Sequence, residues 1–160
     1  MMTERPLTGL VRACRSLLAL APISLALVPT LLASPALAQQ TLVVGNDRGG
    51  YVAQRAQEIR DLDTRNTRIE IRGAICYSSC TMYLGARDVC VTPTTRFGFH
   101  GPSRFGRPLP QSQFEHFSNV MARHYTPPLR SWFMSEARYS ITTPTEISGA
   151  ELIRIGYRSC

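Results

Sequence analysis

The chain has 160 residues and a formal net charge of +7, which comes from 18 arginines and no lysine against 11 acidic residues. This length fits one domain, and an apolar fraction of 44% is too high for a disordered chain. Five cysteines are too few for a scaffold held mainly by disulfides. Composition therefore excludes these classes but indicates no function.

The first forty residues have the layout of a secretory signal peptide. A basic start precedes an apolar run from about residue 17 to 32, and the small-x-small sequence Ala36-Leu37-Ala38 follows. Two prolines interrupt the apolar run, which argues against a membrane-spanning helix. We expect removal of residues 1–38, which lowers the net charge from +7 to +5. The remaining domain, 39–160, is then periplasmic or secreted and keeps no stable membrane span.

Four cysteines remain after this removal, namely Cys76, Cys80, Cys90 and Cys160. An exported protein meets oxidising conditions, so four cysteines suggest two disulfides, for which the sequence allows three pairings. A metal site is the alternative, but Cys-x3-Cys without a second pair or a nearby histidine is a weak zinc pattern. We therefore expect two disulfides, no metal and no other cofactor.

Strands and helices alternate along the first half of this domain. Apolar runs, alternation and helical spacing predict strands at 41–44, 68–72, 90–92 and 96–99, and helices at about 52–62 and 80–86. Segment 73–79 is expected to continue or end the second strand. Because strand–helix–strand connections form right-handed crossovers, the order predicts an α/β domain with mostly parallel strands and flanking helices.

The second half of the domain is predicted to be mainly helical. Residues 101–112 and 142–145 are rich in loop-forming residues, whereas 114–121 and 129–137 have helical features. Ser148 and Glu151 have the spacing of a capping box, which predicts a short helix that Gly156 can close.

Three predicted strand ends carry residues that suit nucleophilic catalysis. Ser79 falls at a strand-to-helix junction, where free backbone N–H groups can stabilise an oxyanion. His100 follows the strand at 96–99, and Gly49-Gly50 follow the first strand. In a parallel sheet these ends share one edge, so a nucleophile, a base and backbone donors can meet there. Each piece also has a structural explanation: Ser79 can cap the helix, the glycines can form an ordinary turn, and a lone histidine can be structural.

Four segments, in order, resemble the Clp protease proteolytic subunit and the wider crotonase superfamily. They are an Asn-x-x-Gly-Gly turn at 46–50, a small-residue turn with serine at 73–80, a proline seven residues before His100, and a Leu-Ser-x-x-Glu-like segment at 147–156. The resemblance covers roughly residues 41–160. It implies a small α/β core of this type, in which mostly parallel strands carry flanking helices.

The resemblance also implies roles for site residues. Ser79 would be the nucleophile and His100 its general base. The backbone N–H groups of Gly50 and Cys80 would form the oxyanion hole, with Gly49 assisting. The aspartate of the protease triad has no counterpart, because Pro144 falls nearest its position.

Cysteines near the serine turn are similar to those of a secreted branch of the superfamily, described as predicted periplasmic proteins. This likeness implies one disulfide from Cys76 to Cys80 across the turn and another from Cys90 to Cys160. The superfamily often builds trimers or rings, so the resemblance also raises a homo-oligomer.

Together these features predict an exported, peptidase-like serine hydrolase that acts on a peptide or acyl substrate through Ser79 and His100. The alternative is a non-catalytic binding or structural domain on the same fold, which the missing carboxylate favours. A third interpretation takes the net charge of +5 as a surface for anionic envelope polymers. The arginines form no run of five or more, so we expect no nucleic-acid partner.

Overall fold

The computed structural model describes residues 38–160, so the predicted signal peptide lies outside the described residues except for Ala38. These residues form a mixed α/β structure of small sheets and helices. Within this part of the chain, no helix is long and apolar enough to cross a membrane.

Eight short strands and four α-helices make up most of the described chain. The strands are β1 Thr41–Val44, β2 Arg68–Ile71, β3 Ile75–Tyr77, β4 Val89–Val91, β5 Arg96–Phe99, β6 Ser103–Arg104, β7 Arg107–Pro108 and β8 Thr145–Ser148. The helices are α1 Val52–Thr64, α2 Gln111–Ala122, α3 Pro127–Ser135 and α4 Gly149–Arg154, with 3₁₀ helices at Ser78–Gly85 and Ala137–Tyr139.

The strands are divided between two three-stranded sheets and one hairpin. The first sheet has the order β1-β2-β4, and both of its strand pairs are parallel. The second has the order β3-β5-β8, in which β3 and β5 are parallel and β8 is antiparallel to β5. Strands β6 and β7 form the separate antiparallel hairpin. The expected parallel pairing is thus present, but it is split between two sheets.

Segment 73–79 does not extend the second strand, because the chain changes sheets after Ile71. A Cβ at Gly73 would lie 2.2 Å from the carbonyl carbon of Gly45, so the two backbones cross too closely for a side chain. Asn46 Oδ1 accepts the backbone N–H of Ala74 at 2.7 Å at this crossing. The crossing directs the next residues into β3, beside β5.

The predicted helix at 80–86 is a 3₁₀ helix that begins at Ser78. Its apolar residues Met82, Tyr83 and Leu84 are buried in one core with the inward side chains of the sheets, such as Ile69 and Phe97. Burial of each large apolar side chain contributes about 1.5–3 kcal/mol. The core therefore fixes where this helix starts. The start of the helix in turn determines which way the side chains of Ser78 and Ser79 point.

Strand β8 was expected to begin as a loop, because only Ile147 in its four residues is strongly apolar. It pairs with β5 from Thr145 to Ser148, so hydrogen bonding to a neighbouring strand outweighs its weak local preference. The predicted capping box at the end of β8 is present. Ser148 Oγ accepts the N–H of Glu151 at 3.2 Å, and the Glu151 carboxylate accepts the N–H of Ser148 at 2.9 Å.

Two disulfides join the four cysteines. Cys76 is bonded to Cys80 with their Cα atoms 5.3 Å apart, and Cys90 is bonded to Cys160 with their Cα atoms 5.0 Å apart. This is the pairing that the resemblance implied. The first bridge encloses the turn between β3 and the 3₁₀ helix, and the second attaches residue 160 to β4.

Candidate functional site

A cavity of about 550 Å³ lies where the start of α1, the end of β3 and the end of β5 meet the hairpin. Two of the predicted site residues, Gly50 and His100, line it. The full lining consists of Gly50, Tyr51, Val52, Ser78, His100, Pro102, Ser103, Arg104, Phe105, Leu109, Phe117 and Met121. The cavity therefore brings two of the predicted site residues together, and the serine on its wall is Ser78.

Ser79, the nucleophile expected from the sequence, has its side chain in the core. The residue is fully buried, and its Oγ has no hydrogen-bond partner among residues 38–160. It does not line the cavity, whereas its neighbour Ser78 does. The structure thus brings Ser78, and not Ser79, to the cavity that His100 shares.

Ser78 occupies a backbone conformation that side chains rarely adopt. Its φ is 57°, in the left-handed region, at the turn from β3 into the 3₁₀ helix. A non-glycine residue there costs on the order of 1–2 kcal/mol, and such strain concentrates at functional sites. Gly49 packs against it, because a Cβ at Gly49 would lie 2.5 Å from the Cβ of Ser78. The turn therefore presents Ser78 directly beside the loop at 45–50, called the glycine loop below.

Helix geometry determines which backbone donors are free near Ser78. A 3₁₀ helix bonds each N–H to the carbonyl three residues earlier. In the helix Ser78–Gly85 the first N–H with such a partner is that of Cys80, which faces the carbonyl of Tyr77. The N–H groups of Ser78 and Ser79 precede it and have no partner inside the helix. The N–H of Cys80, the oxyanion donor expected from the sequence, is thus engaged within the helix, and the free N–H next to it along the chain is that of Ser79.

The glycine loop supplies one further free donor. The N–H of Gly49 donates to Asp47 Oδ1 at 2.7 Å, so it is already occupied. No hydrogen bond among the described residues uses the N–H of Gly50, and Gly50 lines the cavity. Of the expected backbone donors, Gly50 thus lies free on the cavity wall, whereas Gly49 has a packing role.

A network of polar side chains holds the glycine loop. Arg55 forms an ion pair with Asp47 at 2.6 Å, and its guanidinium carbon lies 4.3 Å from the ring centre of Tyr83. The Tyr83 hydroxyl is hydrogen-bonded to Arg55 and donates to Glu58 at 2.7 Å. Burial, and then the hydrogen bond to Glu58, raises the pKa of Tyr83. The loop is thereby anchored to α1 and to the 3₁₀ helix.

His100 has one ring nitrogen engaged with the backbone. Its Nδ1 lies 2.8 Å from the carbonyl oxygen of Gly101, and since a carbonyl only accepts, Nδ1–H is the donor. In the neutral ring this leaves Nε2 without a proton and able to act as a base. The carbonyl of Gly101 therefore fixes the tautomer that the carboxylate of a triad would otherwise fix.

No carboxylate within residues 38–160 is hydrogen-bonded to His100. Glu146, the nearest acid in the sequence to the expected position, is hydrogen-bonded to the Tyr77 hydroxyl and lies 3.8 Å from Arg96. Phe99 pairs with Thr145 across β5 and β8, which leaves Pro144 as the next residue along. Among residues 38–160, the hydrogen-bond partner of the His100 ring is thus a backbone carbonyl.

Sequence reasoning missed Ser78, the role of Asp47 and the carbonyl of Gly101. An aspartate before two glycines is a sequence signal for the turn that Asp47 makes. The choice between adjacent serines had no such signal, because it depends on where the buried helix starts.

No family model, no curated protein and no solved structure matches the chain. The fold and the site define an α/β protein with a serine and a histidine on one cavity.

Proposed function

We propose that the chain is an exported serine hydrolase, peptidase-like, in which Ser78 is the nucleophile and His100 the general base. The observation that carries the proposal is the strained Ser78 on the wall of a cavity that also contains His100 and Gly50. The resemblance to the Clp protease and crotonase superfamily supports the same chemistry, with the serine role moved by one residue. The two disulfides support export to an oxidising compartment.

The proposed reaction has two stages. Ser78 Oγ attacks the carbonyl carbon of the substrate, and its proton passes to Nε2 of His100. The N–H groups of Gly50 and Ser79 stabilise the oxyanion. The bond to the leaving group then breaks, and that group takes the proton from His100. Water, deprotonated by His100, attacks the acyl-serine, and the acid leaves as the proton returns to Ser78.

The carbonyl of Gly101 can orient His100 but carries no full charge to stabilise the imidazolium. Replacing the aspartate of a Ser-His-Asp triad lowers kcat by about 10⁴, largely because the histidine takes the wrong tautomer. Here the hydrogen bond from Nδ1 preserves the useful tautomer. We therefore propose slow turnover, with acylation of the serine as the most accessible measurement.

The two adjacent serines provide a matched test. A fluorophosphonate probe should label the oxidised protein, and Ser78→Ala should abolish the labelling. Ser79→Ala should leave it unchanged and should not lower stability, because the Ser79 hydroxyl is buried without a partner. Loss of labelling in Ser79→Ala alone would return the nucleophile to Ser79. Absence of labelling in the wild-type protein would overturn the hydrolase proposal.

A non-catalytic binding domain is the second candidate, favoured by the lack of a carboxylate on His100. In that case a peptide or acyl group would occupy the same cavity without being cleaved. The labelling experiment separates the two candidates, since only a hydrolase makes Ser78 nucleophilic.

A further inference from the structure

The hairpin β6–β7 has an unfavourable residue at its tip. Its central residues, Phe105 and Gly106, have φ values of 50° and 72°. A two-residue hairpin turn of type I′ requires positive φ at both positions, which suits glycine and asparagine. A bulky residue such as phenylalanine is an outlier in this region. Phe105 is moreover 98% exposed, so nothing within the described protein compensates for it.

The hairpin also places two like charges opposite each other. Arg104 and Arg107 are directly paired across the two strands. Like charges in this position destabilise a strand pair. Neither arginine forms an ion pair with any of residues 38–160, and both are exposed. The hairpin therefore combines three locally unfavourable features in six residues.

The position of the hairpin relates these features to the site. Arg104 and Phe105 line the cavity that contains Ser78 and His100. A second cavity of about 590 Å³ lies against the same two residues and Arg107. The residues that line the two cavities include no aspartate or glutamate. An occupant of the site thus meets the ring of Phe105 and the cation of Arg104, and one that extends along the hairpin into the second cavity also meets Arg107, without a competing carboxylate in either lining.

We propose that the hairpin 103–108 is the substrate-recognition element of the site and selects acyl substrates that carry an anionic group near the scissile bond. This inference rests on the proposed hydrolase function. An anion between Arg104 and Arg107 would remove their repulsion, and an apolar part of the substrate would cover the ring of Phe105. The features that are unfavourable in the free protein are then satisfied in the complex. The chemistry selected is a carboxylate or similar anion next to an apolar group.

Two fluorophosphonate probes that differ in one group test the selection. One probe carries a carboxylate in its linker and the other a carboxamide of the same length. The wild-type protein at low salt should react about fivefold faster with the carboxylate probe, as expected for exposed ion pairs. The preference should shrink at 0.5 M salt because of screening.

Charge-matched variants localise the effect. Arg104→Gln/Arg107→Gln should remove the preference, so that the ratio of the rates for the two probes in this variant falls to about one. The control is Arg65→Gln/Arg87→Gln, which removes the same charge from exposed positions outside both cavities and should retain the preference. Equal rates for the two probes in the wild-type protein would overturn the inference, as would a preference that survives in Arg104→Gln/Arg107→Gln.

A binding measurement separates this inference from the hydrolase proposal. The Ser78→Ala protein is titrated with N-acetyl-Phe-Glu-amide and with N-acetyl-Phe-Gln-amide, and backbone NMR shifts are followed. Tighter binding of the glutamate peptide, with shifts at 103–108, supports the hairpin role even if no probe labels Ser78. Equal binding, or shifts confined to other segments, contradicts it.

Discussion

The two disulfides enclose very different lengths of chain. Cys76 and Cys80 are separated by 4 residues in sequence and surround the turn that presents Ser78. Cys90 and Cys160 are separated by 70 residues and join β4 to the C-terminal segment, next to the hydrogen bond from Cys160 N–H to the carbonyl of Val91 at 3.1 Å. No cysteine of either bridge lines the cavity, but the first bridge encloses the turn whose Ser78 does.

Loop length determines how much each bridge can stabilise the fold. In the chain-entropy model the long loop contributes about 4 kcal/mol and the short loop about 2 kcal/mol. The bridge with the smaller stabilising effect is the one beside the proposed nucleophile. The comparison indicates that Cys76–Cys80 serves mainly to fix local geometry, whereas Cys90–Cys160 serves mainly to hold the domain together.

Removing the long bridge should have the largest effect on stability. The double variant Cys90→Ala/Cys160→Ala should lower the free energy of unfolding by about 4 kcal/mol, since its unfolded chain is no longer constrained. Urea unfolding measures this loss. At temperatures where the variant is folded, the rate of Ser78 labelling should be unchanged. A large fall in that rate would show that the long bridge also shapes the site.

Removing the short bridge should lower stability less, and the labelling rate more, than removing the long bridge does. Cys76→Ala/Cys80→Ala should cost about 2 kcal/mol of unfolding free energy. Its labelling rate at Ser78 should fall by about tenfold to hundredfold, because the turn loses its fixed geometry. The rate is compared with that of the long-bridge variant at equal folded fraction. An unchanged rate would mean that the strained turn does not need its bridge.

Ser78→Gly should change stability less than either bridge variant does. It should raise the free energy of unfolding, whereas the bridge variants lower it. Ser78→Gly relieves left-handed strain of about 1–2 kcal/mol and loses about 0.4–1 kcal/mol through the freer unfolded chain. The variant should therefore be more stable by about 0.5–1 kcal/mol, while labelling disappears. Ser79→Gly is the matched control and should be less stable, since residue 79 is helical. A less stable Ser78→Gly would argue against strain at Ser78.

Local patterns predicted much of the fold, and contacts between distant segments decided the rest. Helical spacing was sufficient to predict α1, and the capping box at Ser148 was sufficient to predict α4, because both patterns depend on residues close together in the sequence. The change of sheet at Gly73 could not be foreseen, since it depends on a crossing with Gly45. Strand β8 was missed because a single strongly apolar residue gives no alternating pattern.

Of the predicted site residues, Gly50 and His100 line one cavity, whereas Ser79 does not and its neighbour Ser78 does. His100 and Gly50 follow from the rule that parallel strand ends share an edge. A shift of one residue in a 3₁₀ helix turns the side chain by about 120°, which moves a serine from cavity to core. The start of this helix is set by buried packing around Met82, which the sequence does not show. The sequence predicts a loop at 101–112, so it does not indicate the hairpin or its pair of arginines.

The hydrogen bonds between residues 46–47 of the glycine loop and residues 74–77, which lead into the turn at Ser78, have a consequence for local unfolding. The N–H of Asp47 donates to the carbonyl of Ile75 at 3.1 Å, the N–H of Tyr77 donates to the carbonyl of Asp47 at 2.8 Å, and Asn46 accepts from Ala74 at 2.7 Å. Neither segment can open without breaking bonds to the other, so their amides belong to one cooperative unit in hydrogen exchange. The proposed oxyanion donor Gly50 and the proposed nucleophile Ser78 are thus assembled together or lost together, and partial opening leaves no half-formed site.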